Sequence, residues 1–210
     1  MNAVHEELAR LGTATVFEAS GRRGLVDLDL QQVLPGSRAC GPARTVRCAQ
    51  GDNLMVHAAM DRVQPGDVLV LTMPEPEPVA LVGDLLVTQA KARGVAALLV
   101  DAAVRDVEEL RALGVPVWTR WIRVHGAVKE TVGVLDETVE VGGTSIRPGD
   151  AVVLDTDGVV VVAHQRLQQV LERSHAREDK ERAKRVKLQG GELSYDLDGL
   201  RALVEGERRR

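Results

Sequence analysis

The stretch from 79 to 118, VALVGDLLVTQAKARGVAALLVDAAVRDVEELRALGVPVW, reads as helix, strand, tight turn, helix, strand, and it confines the chain to an α/β layout. Gly83 and Asp84 open the first helix. Leu85, Leu86, Val87, Ala90 and Ala92 supply good helix formers with a partly apolar stripe, and Gly94 stops the run. Val95 to Val100 is a short continuous apolar run, the pattern of a strand buried on both faces of a parallel sheet. After Asp101, two alanines are expected to make the turn into a second helix entered through Val104, Arg105 and Asp106. Asp106, Glu108 and Glu109 then place carboxylates in its first turn, where the helix dipole favours them. Gly114 ends this helix and Pro116 begins another strand.

In α/β sheets ligands gather at the carboxyl ends of strands, where helix N-termini point unpaired amides into a crevice. Two such N-termini are expected, at Gly83 to Leu86 and at Arg105 to Asp106. The first offers backbone N–H donors and the second a guanidinium beside a carboxylate, a combination that suits a small anion plus a metal ion. Taken singly, Asp84 and Asp106 also read as ordinary helix caps, and Arg105 as a surface charge paired with Glu109 four residues on.

The spacing carries more. Gly83-Asp84-Leu85-Leu86, twenty residues between Asp84 and Arg105, and then Arg105-Asp106 resemble the pattern of the class II pyruvate aldolases that cleave 4-hydroxy-4-methyl-2-oxoglutarate or 4-carboxy-4-hydroxy-2-oxoadipate. Their wider family also contains the regulator of ribonuclease activity A (RraA). The resemblance runs from LGTATVFEASGRRG through the 79–118 stretch to GELSYDLDGLR. It implies a swivelling β/β/α fold, phosphohistidine-domain-like, with residues 1–164 as one α/β domain and 165–210 as a helical extension packing on a neighbouring subunit. It implies further that the backbone of Gly83, Asp84, Leu85 and Leu86 and the side chain of Arg105 hold a pyruvate-like ligand. Asp106 would bind a divalent cation, magnesium or manganese, with Asp84 assisting through water. Glu181 in REDKERAKR matches a glutamate that the family takes from a neighbouring subunit of a homotrimer or hexamer. Ala102 stands where the family often has glycine, and Glu18 where it often has aspartate.

Composition narrows the partners. At 210 residues the chain is long enough for one domain with a full core. A net charge of −4 and 2% aromatic residues give neither a basic face nor a stacking platform for nucleic acid. Cys40 and Cys48, the only cysteines, lie in no metal or redox spacing and read as buried spectator thiols. No apolar run nears the roughly 20 residues of a membrane span and MNAVHEELARLG does not read as a signal peptide, so a cytoplasmic protein is expected.

Along the rest of the chain, Val4 to Arg10 and Thr13 to Ala19 read as short helices, and ARTVRC as a strand. Asp52 and Asn53 are expected to cap a helix NLMVHAAMDRV with Leu54, Met55, Ala58, Ala59 and Val63 inward, in which His57 reads as a structural histidine. Gln64-Pro65-Gly66-Asp67 and Arg147-Pro148-Gly149-Asp150 share one turn chemistry ahead of two strands. The proline-rich Met73 to Pro78 leads to the 79–118 stretch, as a stiff approach or a plain connector. Residues 128–162 are β-rich with hairpin turns at Gly142-Gly143 and Asp157-Gly158, and His125 and His164 stand near strand ends without a second histidine at zinc-ligand spacing. Gln165 to Gln189 is a charged helix with Leu167, Val170, Leu171 and Ser174 on one side. GELSYDLDGLRALVEGE closes as a short helix, and Arg208 to Arg210 as a frayed basic end.

Retro-aldol cleavage to pyruvate and decarboxylation of oxaloacetate both pass through a pyruvate enolate. The expected division of labour gives cation binding to Asp106, a bidentate carboxylate clamp to Arg105, oxyanion donors to the amides of Leu85 and Leu86, and proton traffic to Asp84. Schiff-base chemistry at Lys91 or Lys129 is set aside because neither is expected at the crevice. The competing expectation is a non-enzymatic RraA-type regulator that binds a ribonuclease or helicase. Nucleotide-like methyl donors are not expected, since no G-x-G-x-x-G follows a strand.

Overall fold

The computed structural model describes residues 3–207. The expected frayed end at Arg208 to Arg210 lies outside the described residues. In order the elements are α1 (Ala3–Leu11), α2 (Thr13–Ala19), β1 (Gln31–Gln32), β2 (Ala39–Arg47), α3 (Leu54–Ala59), β3 (Val68–Thr72), β4 (Ala80–Val82), α4 (Asp84–Ala92), β5 (Ala97–Val104), α5 (Val107–Leu113) and β6 (Val117–Ile122). There follow β7 (Val134–Leu135), β8 (Val139–Val141), β9 (Thr144–Ile146), β10 (Ala151–Asp155), β11 (Gly158–Val162), a 3-10 turn at His164–Arg166, α6 (Leu167–Gln189), α7 (Ser194–Leu197) and α8 (Leu200–Glu207).

The main sheet runs β1-β6-β5-β3-β2-β10-β11, with β4 added on β5 and β7 on β2. Its centre is parallel, β2 with β3, β3 with β5 and β5 with β6, whereas β1, β10 and β11 join antiparallel. The apolar runs VLVLT and ALLVDAAV sit in that centre and are buried along their whole length, as strands covered on both faces must be. On one face α3, α4 and α5 deliver Val56, Val87, Ala90 and Leu110 onto Leu69, Leu71, Leu98 and Val100. On the other, the β8–β9 hairpin sets Val139, Val141 and Ile146 against Val70, Leu99 and Trp118. A third cluster packs α1, α2 and the start of α6 on β10 and β11 through Leu8, Val16, Val170 and Val153. This is the mixed α/β architecture with a C-terminal helix that the resemblance implies.

The repeated Pro-Gly-Asp turns are built alike. Asp67 Oδ2 accepts the N–H of Gln64 at 2.9 Å and Asp150 Oδ2 that of Arg147 at 3.0 Å, each closing a loop whose glycine has positive φ. Hairpins form at both expected turns, β8–β9 and β10–β11.

Four expectations need correction. No turn follows Asp101: β5 runs on through Ala102 and Ala103, because β4 pairs with its far end and takes the N–H of Ala103 and Arg105 on the carbonyls of Val79 and Val82. The start of the 79–118 stretch is therefore strand β4, not helix. The helix α3 stops at Ala59, where N–H groups of Met60, Asp61 and Arg62 bond three residues back and tighten it into turns, so that Val56 and Met60 are buried while Ala58 is exposed. The terminal GELSYDLDGLRALVEGE forms two short helices, parted at Gly199, whose φ is 69°. The first turns of α6 bury Val170 and Ser174 against the chain's own helices, and beyond them the helix is largely charged. No helix of the described residues is long and apolar enough to cross a membrane.

Candidate active site

The segment β4–Gly83–α4 and the end of β5 bring the two expected N-termini together. Gly83 is extended at φ −138° and ψ −163°, a conformation open to any residue, so backbone strain does not explain the glycine. Space does: a Cβ there would lie 2.3 Å from Asp106 Oδ2 and 3.1 Å from Arg105 Cγ. Asp106 stands at the N-cap of α5 in the left-handed region, φ 59° and ψ 46°, and makes no side-chain bond to its own helix. Its Oδ2 instead accepts the N–H of Asp84 at 3.1 Å and lies 3.5 Å from Arg105 Nε. Of the amides expected to face a ligand, that of Asp84 is thus already engaged. Those of Leu85 and Leu86, in the first turn of α4, have no partner within the helix.

A second strand of chain completes the site, and nothing in the sequence had marked it. Residues 125–131 form a strap stitched down by backbone bonds. Ala80 N–H donates to His125 O at 2.7 Å, Ala127 N–H to Ala80 O at 3.2 Å, Val128 N–H to Gly51 O at 3.0 Å and Asn53 N–H to Val128 O at 2.9 Å. Asp52, 1% exposed, anchors its far end by accepting the N–H of Glu130 and Thr131 at 2.7 and 2.8 Å, while its Oδ1 takes that of Leu54. Burial opposes the charge on Asp52, but the three N–H donors outweigh it and hold the carboxyl below its ordinary value. The strap carries Gly126 under the guanidinium: a Cβ at Gly126 would meet Arg105 Nη1 at 2.5 Å. Arg105 is thereby held between two glycine backbones with half its side chain in solvent.

Between these parts lies a cavity of about 100 Å³. Gly83, Asp84, Leu85, Leu86 and Arg105 line it as expected, and Leu85, 79% exposed, forms an apolar rim. Asp106 does not line it but sits behind Gly83. Sequence reasoning missed the remainder of the lining. Asn53, read as a cap, makes no side-chain cap bond; His57, read as structural, is exposed to the cavity; and Lys129, expected away from the crevice, lines it. Burial and the positive charge of Lys129 hold the His57 imidazolium below its ordinary pKa. Lys91 points elsewhere, donating to Leu113 O at 2.7 Å. A contiguous strap of small and charged residues following a strand is a weak signal, and only its pairing to β4 and to the 51–53 turn reveals its place.

The donor set bears on a cation. Among the described residues no group of three or more histidine, cysteine, aspartate or glutamate side chains is placed to hold a metal. Asp84 and Asp106, whose main chain and side chain meet at the Asp84 N–H, offer two hard oxygen donors on neighbouring helix N-termini. That fits magnesium or manganese, which keep several waters and use one or two carboxylates, and it does not suit zinc. Glu181 lies on α6, paired with Arg177 at 2.8 Å and outside the cavity of its own chain. Glu18, on α2, pairs with Arg22 at 3.2 Å, and Ala102 is fully buried in β5, so neither departure from the family pattern touches the cavity.

Comparison with known proteins places the chain among relatives of one family. A protein of Halalkalibacterium halodurans that carries the provisional name 4-hydroxy-4-methyl-2-oxoglutarate aldolase is 37% identical over 166 residues, 79% of this chain and 76% of that one. The crystal structure of Streptomyces coelicolor RraAS2, described as an unusual member of the RNase ES inhibitor RraA family, superposes with a TM-score of 0.78 at 31% identity, covering 88% of this chain and 96% of that one. A Geobacillus kaustophilus structure titled S-adenosylmethionine:2-dimethylmenaquinone methyltransferase gives 0.62 at 34% identity, covering 66% and 86%. Relatives named for three different activities share this likeness, so fold alone does not choose among them. Residues 13–161 match the RraA-like family, Aldolase/RraA, and the chain belongs to that family.

Proposed function

We propose that the protein is a divalent-metal-dependent class II aldolase that cleaves 4-hydroxy-4-methyl-2-oxoglutarate or a related 4-hydroxy-2-oxo acid to pyruvate, and that it decarboxylates oxaloacetate at the same site. The observation that carries this reading is Arg105, fixed between Gly83 and Gly126 and facing the free first-turn amides of α4 across one small cavity. A guanidinium matches both oxygens of a 2-oxo acid's carboxylate, which a lysine ammonium cannot do. The amides of Leu85 and Leu86 face oxygen that gains negative charge.

Asp106 and Asp84 would hold the cation, with Glu181 of a neighbouring copy as a third carboxylate in a homotrimer or hexamer. When bound, a magnesium or manganese ion supplies Lewis-acid polarisation of the 2-oxo group. The chain's own residues do the rest. Arg105 holds the 1-carboxylate so that the C3–C4 bond lies across the cavity. Asp84 takes up the proton leaving the 4-hydroxyl through a water that it orients, C4 becomes the carbonyl of the departing oxo acid as the C3–C4 electron pair moves into the enolate, and the proton held at Asp84 returns through that water to C3 to give pyruvate. From oxaloacetate the same bond breaks with loss of carbon dioxide and no hydroxyl proton moves. Residues 1–164 serve as the catalytic domain and 165–210 as the extension that meets the neighbouring copy, in a cytoplasmic enzyme without nucleic-acid or membrane partners.

The likeness to RraAS2 favours a second reading, a non-enzymatic regulator of a ribonuclease or helicase. A coupled pyruvate assay on 4-hydroxy-4-methyl-2-oxoglutarate and oxaloacetate separates the two. Chelator-sensitive turnover supports the aldolase, and no turnover together with capture of an RNA-degradation component supports the regulator.

A further inference from the structure

The strands β5 and β6 do not stay in step to their ends. Val100 stands opposite Thr119 and Ala103 opposite Trp121, so Asp101 and Ala102 together face Arg120, a one-residue bulge in a parallel pair. Bulges are rare in parallel pairing and recur beside active sites, where the extra residue shifts whatever follows it. Val104 thereby lies opposite Ile122 rather than Arg123, where an even register would put it, and Arg105 is the next residue. Because β6 leads on into the strap that carries Gly126, this offset decides where the guanidinium meets its seat. Without the extra residue Arg105 would stand one strand step away along β6, about 3.3 Å.

Two neighbouring residues of β6 fasten the bulge. Thr119 is fully buried, and its Oγ lies 2.9 Å from Ala102 O and 3.1 Å from Trp121 O, so its one proton bonds the carbonyl of the extra residue with the other in reach. Arg120 Nε donates to the carboxylate of Asp101, which is 3% exposed, and the guanidinium lies over the Trp121 ring, 5.5 Å from its centroid. Beyond the bulge, Arg105 N–H donates to Val82 O at 3.1 Å and Arg123 N–H to Val104 O at 3.0 Å, which clasps the end of β5 between β4 and β6. Neither Thr119 nor Arg120 lines the cavity. We infer that Thr119 and the Asp101–Arg120 pair are positioning residues for Arg105, holding the offset of β5 that seats its guanidinium on Gly126 and turns it to the ligand. This deepens the reading of the cavity as a 2-oxo acid site and rests on it. Threonine suits the role, since its branched side chain is stiff at χ1 and presents the hydroxyl in a fixed direction.

The test is calorimetric titration of oxalate, a planar dianion shaped like a pyruvate enolate, into the full chain in magnesium. Thr119→Val fills the same space without the proton and binds oxalate about tenfold more weakly than the wild type, whereas Thr119→Ser keeps the proton and stays within about twofold. Val153→Ala, which opens a cavity in the fully buried β10 core, is the control for general loosening: it lowers the melting temperature and leaves oxalate affinity unchanged. Wild-type affinity in Thr119→Val, or an equal loss in Thr119→Ser or Val153→Ala, overturns the positioning role. Should Thr119→Val not fold, Arg120→Gln, a partly exposed change on the other fastening, shows the same weakening, and undiminished affinity there overturns the role. Oxalate binding that is absent from the wild type, or unaltered in Arg105→Ala, removes the anion clamp and this inference with it. The expected pattern in a protein that releases no pyruvate from any oxo acid upholds the positioning role and removes the aldolase reading alone.

Discussion

The carboxylate of Asp106 caps a helix that is not its own: Oδ2 accepts the backbone N–H of Asp84, the first residue of α4, at 3.1 Å, while Asp106 itself heads α5 in a left-handed conformation. One side chain thus ties two helix N-termini together, the two that carry the aspartates proposed for the cation. Aspartate and asparagine are the residues that tolerate that backbone and offer an oxygen at that reach.

Asp106→Asn separates the two roles. Asparagine keeps the acceptor and the left-handed backbone, so the melting free energy falls by no more than about 1 kcal/mol. Losing the charge lowers affinity for Mn2+ on the order of a hundredfold, read by calorimetry on the substrate-free protein. Retained Mn2+ affinity would remove Asp106 from the cation site.

Gly126→Ala tests the seat of the guanidinium. The glycine has no positive φ to lose, so alanine is accommodated by the backbone, and its Cβ competes with Arg105 Nη1 for the same space at 2.5 Å. The melting temperature changes little, whereas KM for oxaloacetate rises about tenfold or more as Arg105 is displaced. An unchanged KM would mean that Arg105 does not need this seat.

Acid loosens the strap before it unfolds the chain. The Asp52 carboxyl is held below its ordinary value of 3.8, so the stabilisation it gives is complete above that value and is lost as pH falls through the lower native one. Amide protection at Glu130 and Thr131 declines over that acid window, and Asp52→Asn removes this pH dependence while destabilising the chain by roughly 2–4 kcal/mol. Protection that stays level in the wild type through that window would contradict the anchoring role.

Cys40 and Cys48 give a fourth check. Burial pushes both thiols up to about 12, which leaves almost no thiolate at neutral pH. Neither reacts with a disulfide reagent in the native protein on a minutes scale, and both react in denaturant. Rapid native labelling would show that the core around β2 and the residue after it opens.

The sequence made the helix of Leu85 to Ala92, the buried run at Val95 and the two Pro-Gly-Asp turns legible because each rests on local chemistry: glycine stops, an unbroken apolar run, and an aspartate that closes its own loop. Ala102 and Ala103 misled, since two alanines carry little β preference and only the long-range pairing with β4 keeps them extended. Of the site, Gly83 to Leu86 and Arg105 were readable from spacing and family likeness. Asn53, His57, Gly126 and Lys129 were not, for their meaning comes from a strap whose hydrogen bonds join residues 45 to 79 positions apart, from the β4 tether at Ala80–His125 to Asn53 N–H on Val128 O and Asp52 on Thr131, and no local pattern encodes them. The residues between Ala80 and His125 themselves contain the helix–strand–helix–strand unit that the strap closes over.

The central claim, that Arg105 and the α4 amides hold a 2-oxo acid for cleavage, is tested most directly by pyruvate release from 4-hydroxy-4-methyl-2-oxoglutarate in magnesium, in chelator, and in magnesium with Arg105→Ala. The account predicts steady release by the wild type, abolition by chelator with recovery on adding magnesium, and a loss on the order of 10²- to 10³-fold in Arg105→Ala at an unchanged melting temperature. Release at the wild-type rate by a folded Arg105→Ala protein would contradict it.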